Sequence, residues 1–465
     1  MNAPTIWIIA PAAFAILLLP IRHPRALSLL GGSLAVFLAA AAQFIPIDEA
    51  LRIGAFSLKI ETSLEILGRV LRIQPAEGSL LALIYGGSAL WFYGAEAAKA
   101  PPRFVPLGFL IAALMIASIA VEPFLYAALF IEMAVLLCIP LLVSLYQPPG
   151  RGVIRFLIYQ TLGMPFILLA GWLLGGVEAS PGDLALAAQS ASILGLGFAF
   201  LLAVFPLYNW IPMLLEDTPP FLVGFLLWIL PTITIIFGAG FLDRYSWLRS
   251  SPYLITALRT AGLIMVVTGG LWAAFQRHLG RIMAYGFAME MGFSLLALSL
   301  DSRVGVPVLF LLFPARALTL ALWSLALTII KESSESMRFK SVRGFLRIFP
   351  FSGSALVLAT LSMGAFPLLA GFPSRLALWQ ELSRVSLSAA FWLGIGVIGL
   401  LTGAFRSLAV LSMAEEHTGW EVRENWLQGI MLGLGMIALI LLGLFPQIVQ
   451  YLLADLPAMF ERLGH

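Results

Sequence analysis

Long apolar stretches follow one another along almost the whole chain, and only short polar connections separate them. A helix needs about 20 predominantly apolar residues to cross the hydrocarbon of a bilayer, where only helices and closed barrels satisfy their backbone hydrogen bonds. The pattern therefore predicts an all-α polytopic membrane protein with about 14 transmembrane helices. The predicted spans lie near residues 4–20, 27–46, 77–95, 104–121, 123–146, 153–174, 190–214, 220–241, 253–275, 280–300, 304–330, 350–383 (interrupted), 389–413 and 427–449.

The composition excludes a soluble fold and several classes of site. Hydrophobic residues make up 61% of the chain and charged residues 11%, whereas a soluble domain carries about 25% charged residues. The net charge of +3 does not indicate nucleic-acid binding, because the basic residues flank the apolar runs. The single cysteine, Cys138, lies inside an apolar run, and no metal-binding or nucleotide-binding motif is present. We therefore expect neither a metal nor a cofactor in this chain.

Two connections have distinctive sequence patterns, and the basic residues are unevenly distributed among the connections. In the longest connection, residues 47–76, the stretch from Ile53 to Ile60 alternates enough to predict a small hairpin outside the membrane. The connection from Lys331 to Arg347 is basic and amphipathic. Connections after odd-numbered spans hold about 14 basic residues, against about 8 in the others. This bias predicts that both termini lie on the outer, periplasm-like face.

The same proline spacing occurs in two predicted spans. The seventh contains Phe205-Pro206-Leu207 followed by Pro212, and the twelfth contains Phe366-Pro367-Leu368 followed by Pro373. Proline lacks an amide donor and clashes with the carbonyl one turn earlier, so each pair predicts a break in its helix. Matching interrupted helices in two halves of a chain are typical of transport folds with inverted repeats. The alternative is that membrane helices tolerate proline without any such role.

Ionisable side chains at membrane depth are the first candidate functional residues, because burying a charge in lipid is costly. Glu132 lies in the middle of the fifth span. A carboxylate there can hold or pass a proton, or it can form one end of a structural ion pair. Arg375 follows the break in the twelfth span. Arginine stays protonated, so it can tune a neighbour, organise water or pair structurally, but it cannot shuttle protons.

Three further residues complete the candidate set. Glu290 lies ten residues into the tenth span and Arg316 lies well inside the eleventh, which predicts either a transport role or a buried partner for each. Tyr208 and its neighbour Asn209 stand beside the first break, where they serve proton transfer or satisfy freed backbone groups. The chain has only four lysines, none of them at mid-membrane: Lys59, Lys99, Lys331 and Lys340. A proton path here therefore contains no titrating lysine.

Several segments resemble the antiporter-like membrane subunits of respiratory complex I, the proton-translocating NADH–quinone oxidoreductase. Residues 205–212, FPLYNWIP, with Thr218-Pro219-Pro220 after them, are similar to the family's FPFHxWLP and the AP that follows it. Residues 281–285, RIMAY, with Gly292 after them, resemble the family's KRLLAYSSI and its glycine. Further matches are FPLLAGF at 366–372 to PPLAGF, LTGAFR at 401–406 to the penultimate helix, and Glu132 to the glutamate of the fifth helix. The resemblance runs from about residue 50 to the end and extends to subunits of multisubunit cation/proton antiporters and membrane-bound hydrogenases.

The resemblance implies two inverted five-helix repeats and a chain of buried charges that moves protons, driven by electron transfer in other subunits. We therefore expect one transmembrane domain over residues 1–465. It would contain helices one to three in 1–103, the repeats in 104–241 and 253–413, and a last helix and tail in 427–465. The partners implied are other membrane subunits, packed side by side in the lipid of the bacterial inner membrane.

The family's lysine relay is almost absent from this chain. The matching positions hold Leu201, Pro231 or Thr232, Leu320 and Arg375, and the family's histidines fall on Tyr208, Glu290 and Arg316. Two functions stay open for a complex I-like subunit: proton translocation through Glu132, Glu290 and water, or a degenerate scaffold that does not pump. The alternative is a subunit of a multisubunit cation/proton antiporter or a membrane-bound hydrogenase; in an antiporter, Glu132 and Glu290 would bind the ion.

Overall fold

Apolar helices make up most of the chain. The structure, a computed structural model, describes residues 2–53, 56–66, 68–143, 148–179, 183–413, 420–460 and 462–463. Within these ranges, ten helices are long and apolar enough to cross a membrane. Three shorter apolar helices accompany them, at Thr5–Leu18, Phe104–Ala120 and Pro350–Met363. The prediction of a polytopic, mostly helical membrane protein is confirmed.

The helices follow one another with short connections. The first part of the chain holds α1 (Ala10–Leu18, after a π-helical turn at Thr5–Ile9), α2 (Pro24–Phe44) and α3 (Gly78–Gly94). The middle part holds α4 (Phe104–Ala120), α5 (Ala127–Leu142), α6 (Arg151–Ala179), α7 (Leu184–Leu201), α8 (Trp210–Asp217) and α9 (Pro220–Arg244). The last part holds α10 (Ser246–Arg249), α11 (Pro252–Phe275), α12 (Leu279–Leu298), α13 (Ser302–Ser333), α14 (Phe345–Ile348), α15 (Pro350–Met363), α16 (Gly371–Val385), α17 (Leu387–Ser412), α18 (Trp426–Leu444) and α19 (Pro446–Leu452).

Short strands accompany the helices. Between α2 and α3, β1 (Ala50–Ile53) pairs antiparallel with β2 (Phe56–Lys59), at the place of the predicted hairpin. A second sheet joins β3 (Ser63–Ile66), β4 (Arg69–Arg72) and β5 (Val121–Glu122). These strands form because a connection outside the hydrocarbon can satisfy its backbone groups between short strands instead of within a helix.

The long helices differ in how much of each is buried inside the chain. In α9, α12 and α13, 94%, 83% and 78% of the most apolar segment is buried inside the chain, compared with 17% in α18 and 22% in α7. The outer helices therefore face lipid or other proteins. A buried charge on α12 or α13 has only other side chains of this protein to neutralise it.

Both spans that contain an FPL motif are interrupted. The seventh span is divided between α7 and α8, and the twelfth between α15 and α16. Each new helix begins four residues after the proline of its FPL motif, at Trp210 and at Gly371, and each has a proline as its third residue. The chain leaves the helical conformation before the proline, at Ala203 and Ala365, which have φ angles of 50° and 56°. The residue before a proline is disfavoured in the α conformation, so the chain does not resume its helix at once.

Helices α11 and α17 approach each other closely because glycines line their contact. A Cβ built on Gly396 would lie 2.5 Å from the carbonyl oxygen of Val266, and one on Gly399 would lie 2.6 Å from the carbonyl carbon of Gly270. Small residues allow two membrane helices to pack backbone against backbone. A Cβ on Gly394, in the same helix, would meet nothing within 4 Å.

We expect Gly396→Ala to destabilise the protein by about 1–3 kcal/mol, because the added methyl forces the α11 and α17 backbones apart. Gly394→Ala is the matched control and should keep or raise stability, because alanine favours a helix more than glycine does. Thermal unfolding of the purified chain in detergent measures both. Equal effects of the two substitutions would show that the glycine contact is not what holds these helices together.

Candidate functional site

Three of the predicted residues meet in the centre of the bundle, and we call them the Glu290 triad. The Oε2 atom of Glu290 on α12 accepts a hydrogen bond from Nε of Arg316 on α13 at 3.2 Å. Its Oε1 atom accepts from Nη2 of Arg375 on α16. Glu290 and Arg316 are 0% exposed and Arg375 is 2% exposed. The triad therefore ties together three helices, including the second half of the broken span.

The break in the twelfth span brings Arg375 to its partner. Nη1 of Arg375 donates to the carbonyl oxygen of Gly371 at 2.8 Å, within the first turn of α16. The amide of Gly371 donates in turn to Oγ of Ser362 near the end of α15, at 3.1 Å. A Cβ on Gly371 would overlap the Ser362 backbone and the Arg375 guanidinium. This position therefore requires glycine, and the freed backbone groups are satisfied inside the protein.

The triad carries two positive charges and one negative charge. Neutral groups solvate the excess: Nη2 of Arg316 donates to the Glu290 carbonyl at 3.3 Å and to Oγ of Ser294. Nη2 of Arg375 lies 3.4 Å from Sδ of Met363. Phenylalanine rings lie 5.3 Å from each guanidinium carbon, Phe313 for Arg316 and Phe293 for Arg375, a separation at which an aromatic face attracts a cation. Nη1 of Arg316 and Nε of Arg375 have no hydrogen-bond partner in the described part of the chain.

The contacts of the triad are those of a buried ion-pair cluster. Arginine keeps its proton in proteins, and both carboxylate oxygens of Glu290 are engaged by guanidinium groups. A proton relay needs a group that gains and loses a proton, and neither arginine is one. Ser294, one turn after Glu290, is a member of the cluster that the sequence analysis missed; its i, i+4 spacing on a helix was the available signal.

Glu132 stands apart from the triad. Its Oε1 atom accepts from Oγ1 of Thr161 on α6 at 2.9 Å, and its Oε2 atom is buried without a hydrogen-bond partner. No basic side chain forms an ion pair with it among the described residues. At the position of the family's seventh-helix lysine, Leu201 offers only its backbone carbonyl, which accepts from Nε2 of the buried Gln160 at 3.1 Å.

Tyr208 is also separate from the triad. Its hydroxyl donates to Oγ1 of Thr268 on α11 at 3.2 Å, and its ring packs edge-on against Tyr285. It connects the first break to α11 and α12, whereas its neighbour Asn209 is exposed. In the described part of the chain, no three His, Cys, Asp or Glu side chains are grouped in a way that could hold a metal ion.

The start of α12 lies close to several basic residues. His278 caps this helix, with Nδ1 accepting from the amide of Arg281 at 3.3 Å. Burial lowers the pKa of His278 to about 4, so its imidazole is neutral at neutral pH. Arg281 forms an ion pair with Glu216 on α8. Lys331 donates to the carbonyls of Glu216 and Thr218 at 2.9 and 2.8 Å, which fastens the end of α8 to α13.

A family model and several known proteins match this chain. The model for the transmembrane segment of NADH:quinone oxidoreductase and Mrp antiporter proteins matches residues 127–403, which include Glu132 and the whole Glu290 triad. The chain is 22% identical over 262 residues to NADH-quinone oxidoreductase subunit N of Cytophaga hutchinsonii, an alignment covering 56% of each protein. It is 27% identical over 322 residues to NADH-quinone oxidoreductase subunit 14 of Thermus thermophilus, covering 66% of this chain and 70% of that one.

The fold matches that of a chain in a solved structure. A chain in respiratory complex I from Thermus thermophilus with bound NADH superposes with a TM-score of 0.77 at 22% identity, covering 99% of this chain and 100% of that one. By sequence, in contrast, the chain spans little more than half the length of the Cytophaga relative. The structural likeness therefore shows a shared fold over the full chain.

We expect Glu290→Gln to destabilise the protein by about 3–5 kcal/mol, because it leaves two buried guanidinium groups without a counter-charge. Replacing all three members together, as E290L/R316M/R375M, removes every charge and should recover most of that loss. Thermal unfolding in detergent measures both variants.

The matched control is Glu381→Gln on α16, where the carboxylate pairs with Arg384 at the surface at 2.6 Å. This change should cost at most about 1 kcal/mol. An E290Q variant as stable as E381Q, or a triple variant less stable than E290Q, would contradict the assignment of the triad as a charge-neutralising cluster.

Proposed function

We propose that this chain is an antiporter-like membrane-arm subunit of a complex I-like NADH–quinone oxidoreductase. The chain belongs to the transmembrane family of NADH:quinone oxidoreductase and Mrp antiporter proteins, and the proposal starts from that membership. The names of its relatives in Cytophaga and Thermus favour the oxidoreductase over a cation/proton antiporter. Its partners are then other membrane subunits of that complex. Electron transfer takes place in those partners, because this chain supplies no set of ligands for a redox centre.

Within such a complex, we propose that this subunit acts as a scaffold and performs no proton-transfer step. The observation that carries the proposal is the Glu290 triad, in which both oxygens of the only fully buried carboxylate in the described chain are bound by arginines. A permanently charged cluster holds helices together, whereas a relay needs groups that titrate. Thr161 is the one hydrogen-bond partner of the Glu132 side chain among the described residues. The lysines that would connect a relay are absent from the membrane-spanning helices' middle parts.

We propose fourteen transmembrane spans arranged around two inverted repeats. The ten long helices, the three shorter apolar ones and α3 make fourteen if α8 and α16 count as the second parts of interrupted spans. The repeats would be α4–α9 and α11–α17. Their support is the equal offset from the FPL proline to the restart of the helix in both breaks, at Trp210 and Gly371. At the offset of Arg375 from its break, the first half has Leu214.

We propose that both termini lie on the periplasmic face of a bacterial inner membrane. The amide of Ala3 donates to the carbonyl of Glu61 at 2.8 Å, and the amide of Arg462 donates to Asp243 at 2.7 Å. One cavity on that face is lined by residues from both regions, including Gln74, Asp243 and Phe460. The opposite face holds the more basic connections, which remain on the cytoplasmic side under the positive-inside rule.

The direct test is Glu132→Gln in the intact purified complex, reconstituted into vesicles, with protons translocated per electron pair as the measurement. We expect an unchanged ratio, because no titrating side chain in the described ranges pairs with Glu132 to exchange a proton. Glu122→Gln, a change of an exposed carboxylate in β5, controls for handling and reconstitution. Assembly is checked separately by subunit composition. A ratio that falls with E132Q but not with E122Q, in a fully assembled complex, would show that this subunit pumps.

A further inference from the structure

A large pocket opens on the more basic face of the protein, and we call it the basic pocket. It has a volume of about 540 Å³ and lies between α8, the start of α12, the connection before α14 and the end of α17. Six of its lining side chains are basic: Arg277, Arg281, Arg338, Lys340, Arg343 and Arg406. Glu216 is its one acidic lining residue in the described chain.

Most of this positive charge is not neutralised by the described residues of the chain. Arg281 is paired with Glu216, and Arg406 donates to the carbonyl of Ala274. The other four form no ion pair with any described residue, and all are exposed: Arg277, Arg338, Lys340 and Arg343. Like charges this close repel one another, so an anion that enters the pocket relieves the repulsion. His278 beside them is neutral at neutral pH because burial lowers its pKa to about 4.

Backbone hydrogen bonds hold the segments that line the pocket in place. The amide of Phe339 donates to the carbonyl of Arg277 at 2.9 Å, and the amide of Leu279 donates to the carbonyl of Met337 at 3.0 Å. Arg406 lies over the ring of Phe339, with 5.7 Å between the guanidinium carbon and the ring centre. These contacts hold the basic connection against α12 and α17. The cations therefore converge on a pre-formed site instead of being scattered along a loose loop.

Exposed apolar side chains stand beside pocket-lining residues in sequence, next to Gln276 and Arg406. On α11, Trp272 is 51% exposed and Phe275 is 72% exposed, and on α17 Phe405 is 51% exposed. Met413, which lines the pocket itself, is 49% exposed. In a membrane protein, such side chains next to a basic rim contact acyl chains. An occupant with an anionic head and an apolar tail matches both parts of this surface.

We propose that the basic pocket binds the headgroup of an anionic phospholipid, with the acyl chains lying along α11 and α17. Basic pockets at membrane helix ends bind acidic lipid headgroups, and arginine can bind a phosphate oxygen pair with two parallel hydrogen bonds. Four cations without an ion pair favour a lipid with two phosphodiester groups over one with a single group. A free phosphate ion supplies the same anionic chemistry, but it would leave the apolar surface without a partner.

The test is native mass spectrometry of the purified full chain in detergent, titrated with a diphosphatidylglycerol lipid and with phosphatidylcholine of the same chains. We expect one diphosphatidylglycerol to bind saturably and phosphatidylcholine to bind far more weakly. Arg338→Gln combined with Arg343→Gln should weaken diphosphatidylglycerol binding roughly 30-fold, since each basic residue near an anionic lipid contributes about a factor of five.

The matched control is Arg22→Gln combined with Arg151→Gln. It makes the same charge change on the same face, at two exposed arginines that do not line the pocket. Lipid binding by this variant should be unchanged. Equal weakening in both double variants would mean general attraction to a basic surface and would overturn the proposal.

Three further outcomes would also overturn it. Displacement of the lipid by millimolar inorganic phosphate would make a free anion the occupant. Binding that appears only after Glu415→Gln with Glu416→Gln would make the chain's own acidic segment, near Met413 in sequence, the occupant. Absence of the lipid from the pocket in the intact complex, where the isolated chain binds it, would assign this surface to a neighbouring subunit.

Discussion

A carboxylate held between two guanidinium groups in the middle of the membrane is the interaction on which the rest of this structure depends. Hydrocarbon cannot solvate an isolated charge at that depth, so Glu290, Arg316 and Arg375 stabilise one another as a set. Because they lie on α12, α13 and α16, the set fixes the relative positions of these helices. Arg375 also donates a hydrogen bond to the carbonyl of Gly371, which the helix break leaves free.

The polar groups around the two helix breaks are satisfied by different kinds of side chain. Around the first break, the amide of Gln160 satisfies the carbonyl of Leu201, and Glu132 has only the hydroxyl of Thr161. Around the second break, charged groups perform these tasks. The contacts around the first break are therefore neutral, whereas those around the second include an ion-pair cluster. This difference is the physical basis for proposing a scaffold.

The sequence predicted the parts of this fold that the thickness of a membrane controls. Apolar runs located the helices, and the paired FPL motifs located both breaks. Helix ends were less predictable, because α7 begins at Leu184, where Asp183 caps it, and not near residue 190. The presence of proline alone did not predict where helices break. Helix α13 continues through Pro307 and Pro314, whereas the breaks coincide with alanines in left-handed conformations. The two small sheets were predicted only at the first hairpin.

The candidate site was predictable residue by residue but not as a cluster. The cost of burying charge identified Glu290, Arg316 and Arg375 separately, yet which helix faces meet is a property of packing that three distant stretches of sequence do not reveal. The central claim is that the triad neutralises charge and does not move protons. Its most direct test is the fully apolar variant E290L/R316M/R375M in the assembled complex in vesicles, with protons translocated per electron pair as the measurement. The account predicts the wild-type ratio, and a lower ratio in a complete complex would contradict it.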